Sequence, residues 1–253
     1  MKEMTLFGET RNHDMLTLYH GSNFKIIKPL KDYGRSDNDY GQGFYTTMIK
    51  DKAVSWAQNM GSSSDAVVNT YELDVSGLKV VNLNDFGVLA WIAEIAANRP
   101  IKSELSDDFL PEFVRKYRPD TLKADVLVGY RADDSYTDVI AAFVDGLLNC
   151  DEVERLFYKG NLGEQYFIKS QKAFDALQFV CAENVNYVNM NEQIVLEAKA
   201  RQEVFEFIEQ RRTAIARRFF VPPITIIDAI ESDYAYNTEY DFYEKVVSKN
   251  ETL

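Results

Sequence analysis

From Leu16 to Ser22 the sequence LTLYHGS sets apolar and polar residues in near alternation up to a glycine, the period-two signature of a strand with one covered face. FKIIKPL is a second apolar stretch, ended at Pro29, and the polar run KDYGRSDND after it is a loop of the kind that borders a site. GFYTT predicts another short strand. Asp51 then stands as the N-cap of a helix over KAVSWAQNM, closed by Gly61. AVVNTYELD and LKVVNL predict two strands joined by a turn at Ser76 and Gly77. From Asn84 to Tyr117 the pattern is helical, with an apolar stripe in VLAWIAEIAANR broken at Pro100. ADVLVGY reads as a buried strand, SYTDVIAAFVDGLL as a helix, and EQYFIKS and ALQFVCAE as two strands around a short helical turn.

Beyond Asn191 the period changes. Ile194, Ala198, Phe205, Ile208, Ile215 and Phe219 fall on one face of a long amphipathic helix, which Pro222 and Pro223 stop before the short apolar segment ITIIDAIE. Strands in mixed order with helices inserted between them predict an α+β fold rather than a doubly wound sheet. The chain divides into a tail over 1–15, a main domain over 16–183 and a helical extension over 184–253.

Composition narrows the chemistry. With 46% hydrophobic and 27% charged residues the chain is globular, and a net charge of -12 disfavours stable seating on nucleic acid or an anionic membrane. A local basic cleft would still allow a transient nucleic-acid substrate. No apolar run approaches the roughly 18 residues of a membrane span, and the N-terminus lacks the apolar core of a secretory signal. Two cysteines, Cys150 and Cys181, form no CxxC pair, so a reducing cytoplasm is the expected compartment. With only His13 and His20, a histidine-rich metal site is not expected. Neither GxSxG nor GxxxxGK[ST] occurs, which removes the usual support for a nucleophile elbow or a P-loop.

Two separated segments remain, LYHGS and YGQGFYTTMIKDKAVSWAQ. Together they resemble the first two signature segments of the ADP-ribosyltransferase superfamily, in the branch with a His-Tyr-Glu type triad. The wider order of motifs, with VGYRADDSY and LGEQYFIKSQKAF, resembles a bacterial family of unassigned function within that superfamily, from about Leu16 to Phe179. The resemblance implies a split, mixed and antiparallel β-sheet core and an enzyme that transfers ADP-ribose from NAD with release of nicotinamide. It implies NAD as substrate, no metal, a macromolecular acceptor (protein or nucleic acid) and, for a toxin-like member, a neutralising protein partner.

The site residues follow from the same resemblance. His20 corresponds to the histidine that bonds the adenosine ribose. The Gly21 backbone matches the group that pairs with the nicotinamide carboxamide, with Ser22 beside it. Tyr45 corresponds to the ring that stacks on nicotinamide, and Trp56, eleven positions on, to the opposite wall. Gly43 and Thr46 flank Tyr45 in the binding segment. Stacking of this kind contributes about 0.5–1.5 kcal/mol per aromatic pair beyond burial. Gln165 stands at the position of the family's glutamate. An amide accepts the ribose hydroxyl bond but brings no charge, which weakens the bond by about 1–2 kcal/mol. Glu164 is the acidic neighbour, and because side chains alternate along a strand only one of the two faces the cleft. Ala53 stands where poly-forming members carry a hydroxyl, which points to mono-transfer.

Each residue also has a plainer reading. His20 and Tyr45 taken singly are structural, and Trp56 lies on the inner face of an amphipathic helix and packs there equally well. Asp133 or Asp134 serves as a helix N-cap as readily as Arg131, Asp133 and Asp134 orient an acceptor or a phosphate. Arg211, Arg212, Arg217 and Arg218 are either a solvated helix face or a contact for an acidic partner. A catalytically weak NAD-binding module and an NAD glycohydrolase are the alternatives of function.

Overall fold

A computed structural model describes residues 14–60, 66–103, 106–132, 134–157, 159, 163–185, 192–217 and 226–231. In chain order the elements are β1 (Met15–Ser22), β2 (Phe44–Thr46), α1 (Lys50–Met60), β3 (Val67–Asp74), β4 (Val80–Asn82), α2 (Gly87–Asn98), α3 (Ser106–Tyr117) and β5 (Val126–Tyr130). They continue with α4 (Asp134–Val144), α5 (Cys150–Phe157), β6 (Glu164–Ile168), α6 (Gln171–Ala176), β7 (Leu177–Asn184), α7 (Glu192–Ala216) and α8 (Ile226–Glu231). The fold is α+β with two sheets. One is antiparallel in the order β1-β3-β7, and the other is mixed in the order β2-β6-β5-β4, with β4 and β5 parallel.

Alternation along the strands explains the layers. Val126 and Val128 of β5 turn toward the first sheet, where they join Leu18, Phe44, Tyr71, Leu73 and Ile168 in an inter-sheet core. Leu127 and Phe167 turn to the opposite face and meet the helices, with Trp91, Ile92 and Ile95 of α2 and Ile140 and Phe143 of α4. The second sheet is thus covered on both sides, which is why VLVGY reads as an unbroken apolar run. Trp91 Nε1 donates to the Tyr40 hydroxyl and to the Tyr130 carbonyl, each at 2.9 Å, and so ties α2 to the loop before β2 and to the end of β5.

The stretch FKIIKPL is a loop, fastened where Ile26 N donates to Asn69 Oδ1 at 2.8 Å and the Tyr71 hydroxyl donates to the Ile26 carbonyl at 2.6 Å. β3 and β4 are joined by the turn at Ser76 and Gly77, yet they do not pair, since each joins a different sheet. Two features differ from the sequence reading. The helix predicted through Leu148 ends at Val144, and α5 follows the turn at Gly146. The buried face of α7 differs in part: Ile208 is buried as read, but Phe205 is 62% exposed and Ala198 is exposed, whereas Val204 is buried. With Ile226 of α8 they join the same core as α2, α4 and α5. The side chain of Ile194, and all of Arg218, Phe219, Pro222 and Pro223, lie outside the described residues.

Candidate functional site

Among the described residues the two sheets meet at one short backbone bridge. Tyr19 N donates to the Thr47 carbonyl at 2.7 Å, and Thr47 N to the Tyr19 carbonyl at 2.9 Å. In an extended strand residues two apart send their backbone groups to the same edge, so Gly21 directs its N–H and C=O the same way as Tyr19. Continued antiparallel pairing would bring Tyr45 opposite Gly21. Instead the Tyr45 carbonyl accepts from His20 Nδ1 at 2.7 Å, and β1 and β2 part around that imidazole. Gly21 therefore offers a donor and an acceptor side by side at the edge of β1, a pair to which a primary carboxamide is complementary.

The same bond fixes the chemistry of His20. A carbonyl only accepts, so Nδ1 carries the proton and Nε2 keeps its lone pair. Burial lowers the imidazole pKa from its ordinary 6.5, against a smaller opposing contribution from the Tyr45 bond. His20 is thus a neutral, oriented acceptor suited to a hydroxyl, with its ring centroid 4.5 Å from that of Phe44.

Why position 21 is glycine has a local answer. A Cβ there would lie 2.0 Å from the Ala53 carbonyl oxygen and 2.6 Å from Ala57 N, so the backbone of α1 rests directly on β1. The small residues Ala53 and Ala57, both fully buried, belong to this contact. The missing side chain at Gly21 thus serves helix packing, while its backbone edge faces the split. Gly43 has a similar cause, because a Cβ there would meet the Phe167 ring at 2.4 Å.

Tyr45 is anchored at both ends. Its hydroxyl donates to the Gly41 carbonyl at 2.8 Å and accepts from Tyr40 N at 2.9 Å, and its ring packs on Phe167 at 4.7 Å between centroids. No ring contact joins Tyr45 to Trp56. Trp56 lies instead under Arg131, whose guanidinium carbon is 5.3 Å from the ring centroid, and its buried Nε1 has no hydrogen-bond partner among the described residues. Ser22 and Thr46 are committed elsewhere: the Ser22 hydroxyl donates to the Phe24 carbonyl and accepts from Asn69 Nδ2, and Thr46 Oγ1 donates to the Tyr166 carbonyl.

Gln165 and Glu164 point to opposite faces of β6. Gln165 shares its face with Phe167, hence with Tyr45, and is buried; Glu164 accepts from Asn84 Nδ2 at 2.6 Å on the other side. The structure thus puts Gln165 on the Tyr45 side. Its Nε2 donates at 2.9 Å to Asp39, a buried carboxylate in the loop before β2. Asp39 also accepts from Arg99 Nη1 at 2.8 Å and from Ala132 N at 3.0 Å.

A second charged group lies beside this one, past Ala132. Glu197 of α7, 2% exposed, has Oε2 3.8 Å from Arg131 Nη1 and 3.9 Å from Arg201 Nη2. Lys52 of α1 is buried next to them, and desolvation lowers its pKa to about 8, opposed by the Glu197 charge and assisted by that of Arg131. Asp134 opens α4, but its side chain and the whole of Asp133 lie outside the described residues. Arg211 pairs with Glu152 of α5 and Arg212 with Glu209, so these two cations are structural in part. Sequence reasoning missed Asp39, Arg99, Lys52 and Glu197; the only signal for Asp39 was the polarity of its loop.

The arrangement defines an α+β protein with a neutral histidine and an open strand edge where two sheets part. The chain belongs to the family described as "Protein of unknown function (DUF3990)", whose model matches residues 16–179. That segment carries His20, Gly21, Asp39, Tyr45, Trp56, Arg131 and Gln165, and ends in β7, before α7. No curated protein and no solved structure matches the chain. Among the described residues no helix is long and apolar enough to cross a membrane, and no cluster of three or more His, Cys, Asp and Glu could hold a metal ion.

Proposed function

We propose that this protein is a mono-ADP-ribosyltransferase of toxin-like type that moves ADP-ribose from NAD to a macromolecular acceptor. The observation that carries the reading is the His20–Tyr45 bond at the split, which leaves His20 Nε2 as an acceptor for a ribose hydroxyl beside the Gly21 backbone edge. The Gly21 N–H and C=O suit the nicotinamide carboxamide, Tyr45, whose carbonyl holds His20, supplies a fixed ring, and Gln165 lies on the Tyr45 side of β6. In the reaction the bond from ribose C1′ to the nicotinamide nitrogen breaks and its electron pair leaves with nicotinamide. An acceptor nucleophile forms the new bond to C1′ and releases its proton. The protein's share is orientation and the placing of acceptor oxygens near the cationic sugar. Incubation with NAD labelled in the adenylate, together with cell lysate, tests this. Label in protein or nucleic acid with stoichiometric free nicotinamide is expected; the absence of both would overturn the reading.

The neutral side chain at Gln165 favours one second reading, an NAD-binding module without turnover. Calorimetry separates the two, since tight NAD binding with no nicotinamide release is expected of the module alone. Nicotinamide release without transfer would identify a glycohydrolase.

A further inference from the structure

The third position of the proposed site holds an amide, and the structure ties that amide to a buried charge. Asp39 is 6% exposed and receives three hydrogen bonds: Arg99 Nη1 on Oδ1, and Ala132 N and Gln165 Nε2 on Oδ2. Burial raises the Asp39 pKa from its ordinary 3.8, but the Arg99 guanidinium opposes this and, with the Ala132 N–H, donates to it; the ionised carboxylate so favoured only accepts, and the NH₂ end of Gln165 faces it. The Oε1 end turns away from it and takes no hydrogen bond among the described residues. A free glutamine amide has no such preference, since its two ends are nearly the same shape.

We propose that Asp39 is a positioning residue: it locks the Gln165 amide so that Oε1 is presented to the substrate hydroxyl, and it supplies, one bond removed, the negative charge that a glutamate at position 165 would carry. The inference rests on the ADP-ribosyltransfer reading of the site. It explains why glutamine is tolerated there. A glutamate at position 165 would set two carboxylates about 2.9 Å apart in a buried place, where they cannot both ionise. Arg99 balances the one charge that is present. The carboxylate polarises the amide through their hydrogen bond and makes Oε1 a better acceptor.

Asp39→Asn separates orientation from bulk. Arg99 and the Ala132 N–H both donate only and sit on different oxygens; the charged guanidinium keeps the introduced oxygen, so the NH₂ takes the other position, where Ala132 N loses its acceptor and Gln165 meets a donor. Gln165 must then flip, with Oε1 toward that NH₂ and its own NH₂ toward the sugar. A hydroxyl accepts as well as donates, so NAD still binds, but the positive end of the Gln165 amide now faces the developing cation. For nicotinamide release, kcat is expected to fall by about tenfold or more while KM changes by less than about threefold. The double variant Asp39→Asn with Gln165→Glu restores one ionised carboxylate with an NH₂ donor beside it, and is expected to recover kcat. Gln165→Glu alone is not.

A readout that needs no NAD accompanies this. In ¹⁵N-labelled protein the Gln165 side-chain NH₂ is expected to be protected from hydrogen exchange, and Asp39→Asn to abolish that protection. Solvent-rate exchange in the wild type would overturn the proposal, as would an Asp39→Asn protein with unchanged kcat. Should wild type neither bind nor cleave NAD, the functional reading falls, and the exchange result alone decides whether Asp39 locks the amide. Should Asp39→Asn not fold, the wild-type exchange measurement still decides.

Discussion

Gly21→Ala tests the helix-strand contact on which the site is built. The added Cβ would meet the Ala53 oxygen at 2.0 Å, whereas ordinary contact begins at 3.4 Å, so α1 must retreat by about 1.4 Å. Both atoms it meets are backbone, so no side-chain rotation relieves the clash. Overpacking of this kind costs about 1–3 kcal/mol, and the upper half of the range applies because Ala53 and Ala57 are fully buried. Replacing a strand glycine returns about 0.5–1 kcal/mol of chain entropy, which leaves a net loss near 2 kcal/mol. Urea unfolding followed by far-UV circular dichroism reads this directly. With m between about 1 and 3 kcal/mol/M, the midpoint is expected to fall by about 1 M at unchanged m. A midpoint within about 0.2 M of wild type would refute the close approach of α1 to β1. It would leave nicotinamide approach as the sole reason for glycine.

Three further outcomes follow from the charges and the core. Burial depresses the His20 pKa below its unfolded 6.5, so its contribution to stability is complete above that value and is lost as pH falls from 6.5 through the folded pKa; NAD affinity should fall only as pH passes the folded pKa. NMR titration of the His20 ring checks this, and a pKa at or above 6.5 would contradict it. Glu197→Gln should cost about 2–3 kcal/mol, less than for a fully buried pair because Arg201 is half exposed, and should lower the Lys52 pKa further below about 8. An unshifted Lys52 titration would refute that coupling. Deleting residues from Asn191 onward uncovers the core reached by Val204, Ile208 and Ile226, whose burial contributes about 1.5–3 kcal/mol each. The truncated chain is expected to be insoluble or to melt without cooperativity; a soluble, cooperatively melting fragment would show that α7 and α8 are an appendage.

Much of the fold was legible because it rests on local period. β1, β3, β5, β6 and β7 each carry alternation or an apolar run that survives into the structure. Sheet membership was not legible. The turn at Gly77 suits a hairpin, yet which sheet takes β4 depends on its pairing with β5, far along the chain. The face of α7 was misread because apolar residues alone were counted; Glu197 and Arg211, held by ion pairs, lie with Val204 and Ile208 while Phe205 faces out. At the candidate site, His20, Tyr45 and Gln165 are marked by a resemblance in short motifs. Asp39 was invisible for a different reason: its side-chain partners Arg99 and Gln165 are 60 and 126 residues away, so no local pattern marks it. The need for glycine at position 21 has a cause that no pattern along β1 reveals, since the atoms nearest its missing side chain belong to α1.

The most direct test of the account is a crystal structure with NAD bound. The nicotinamide ring is expected between Tyr45 and Trp56, with Arg131 withdrawn from the indole, its carboxamide paired with the Gly21 backbone. His20 Nε2 should accept from an adenosine ribose hydroxyl, and Gln165 Oε1 should accept from a hydroxyl of the nicotinamide ribose. NAD bound away from the split between β1 and β2, or a nicotinamide ribose contacted by Glu164 instead of Gln165, would contradict it.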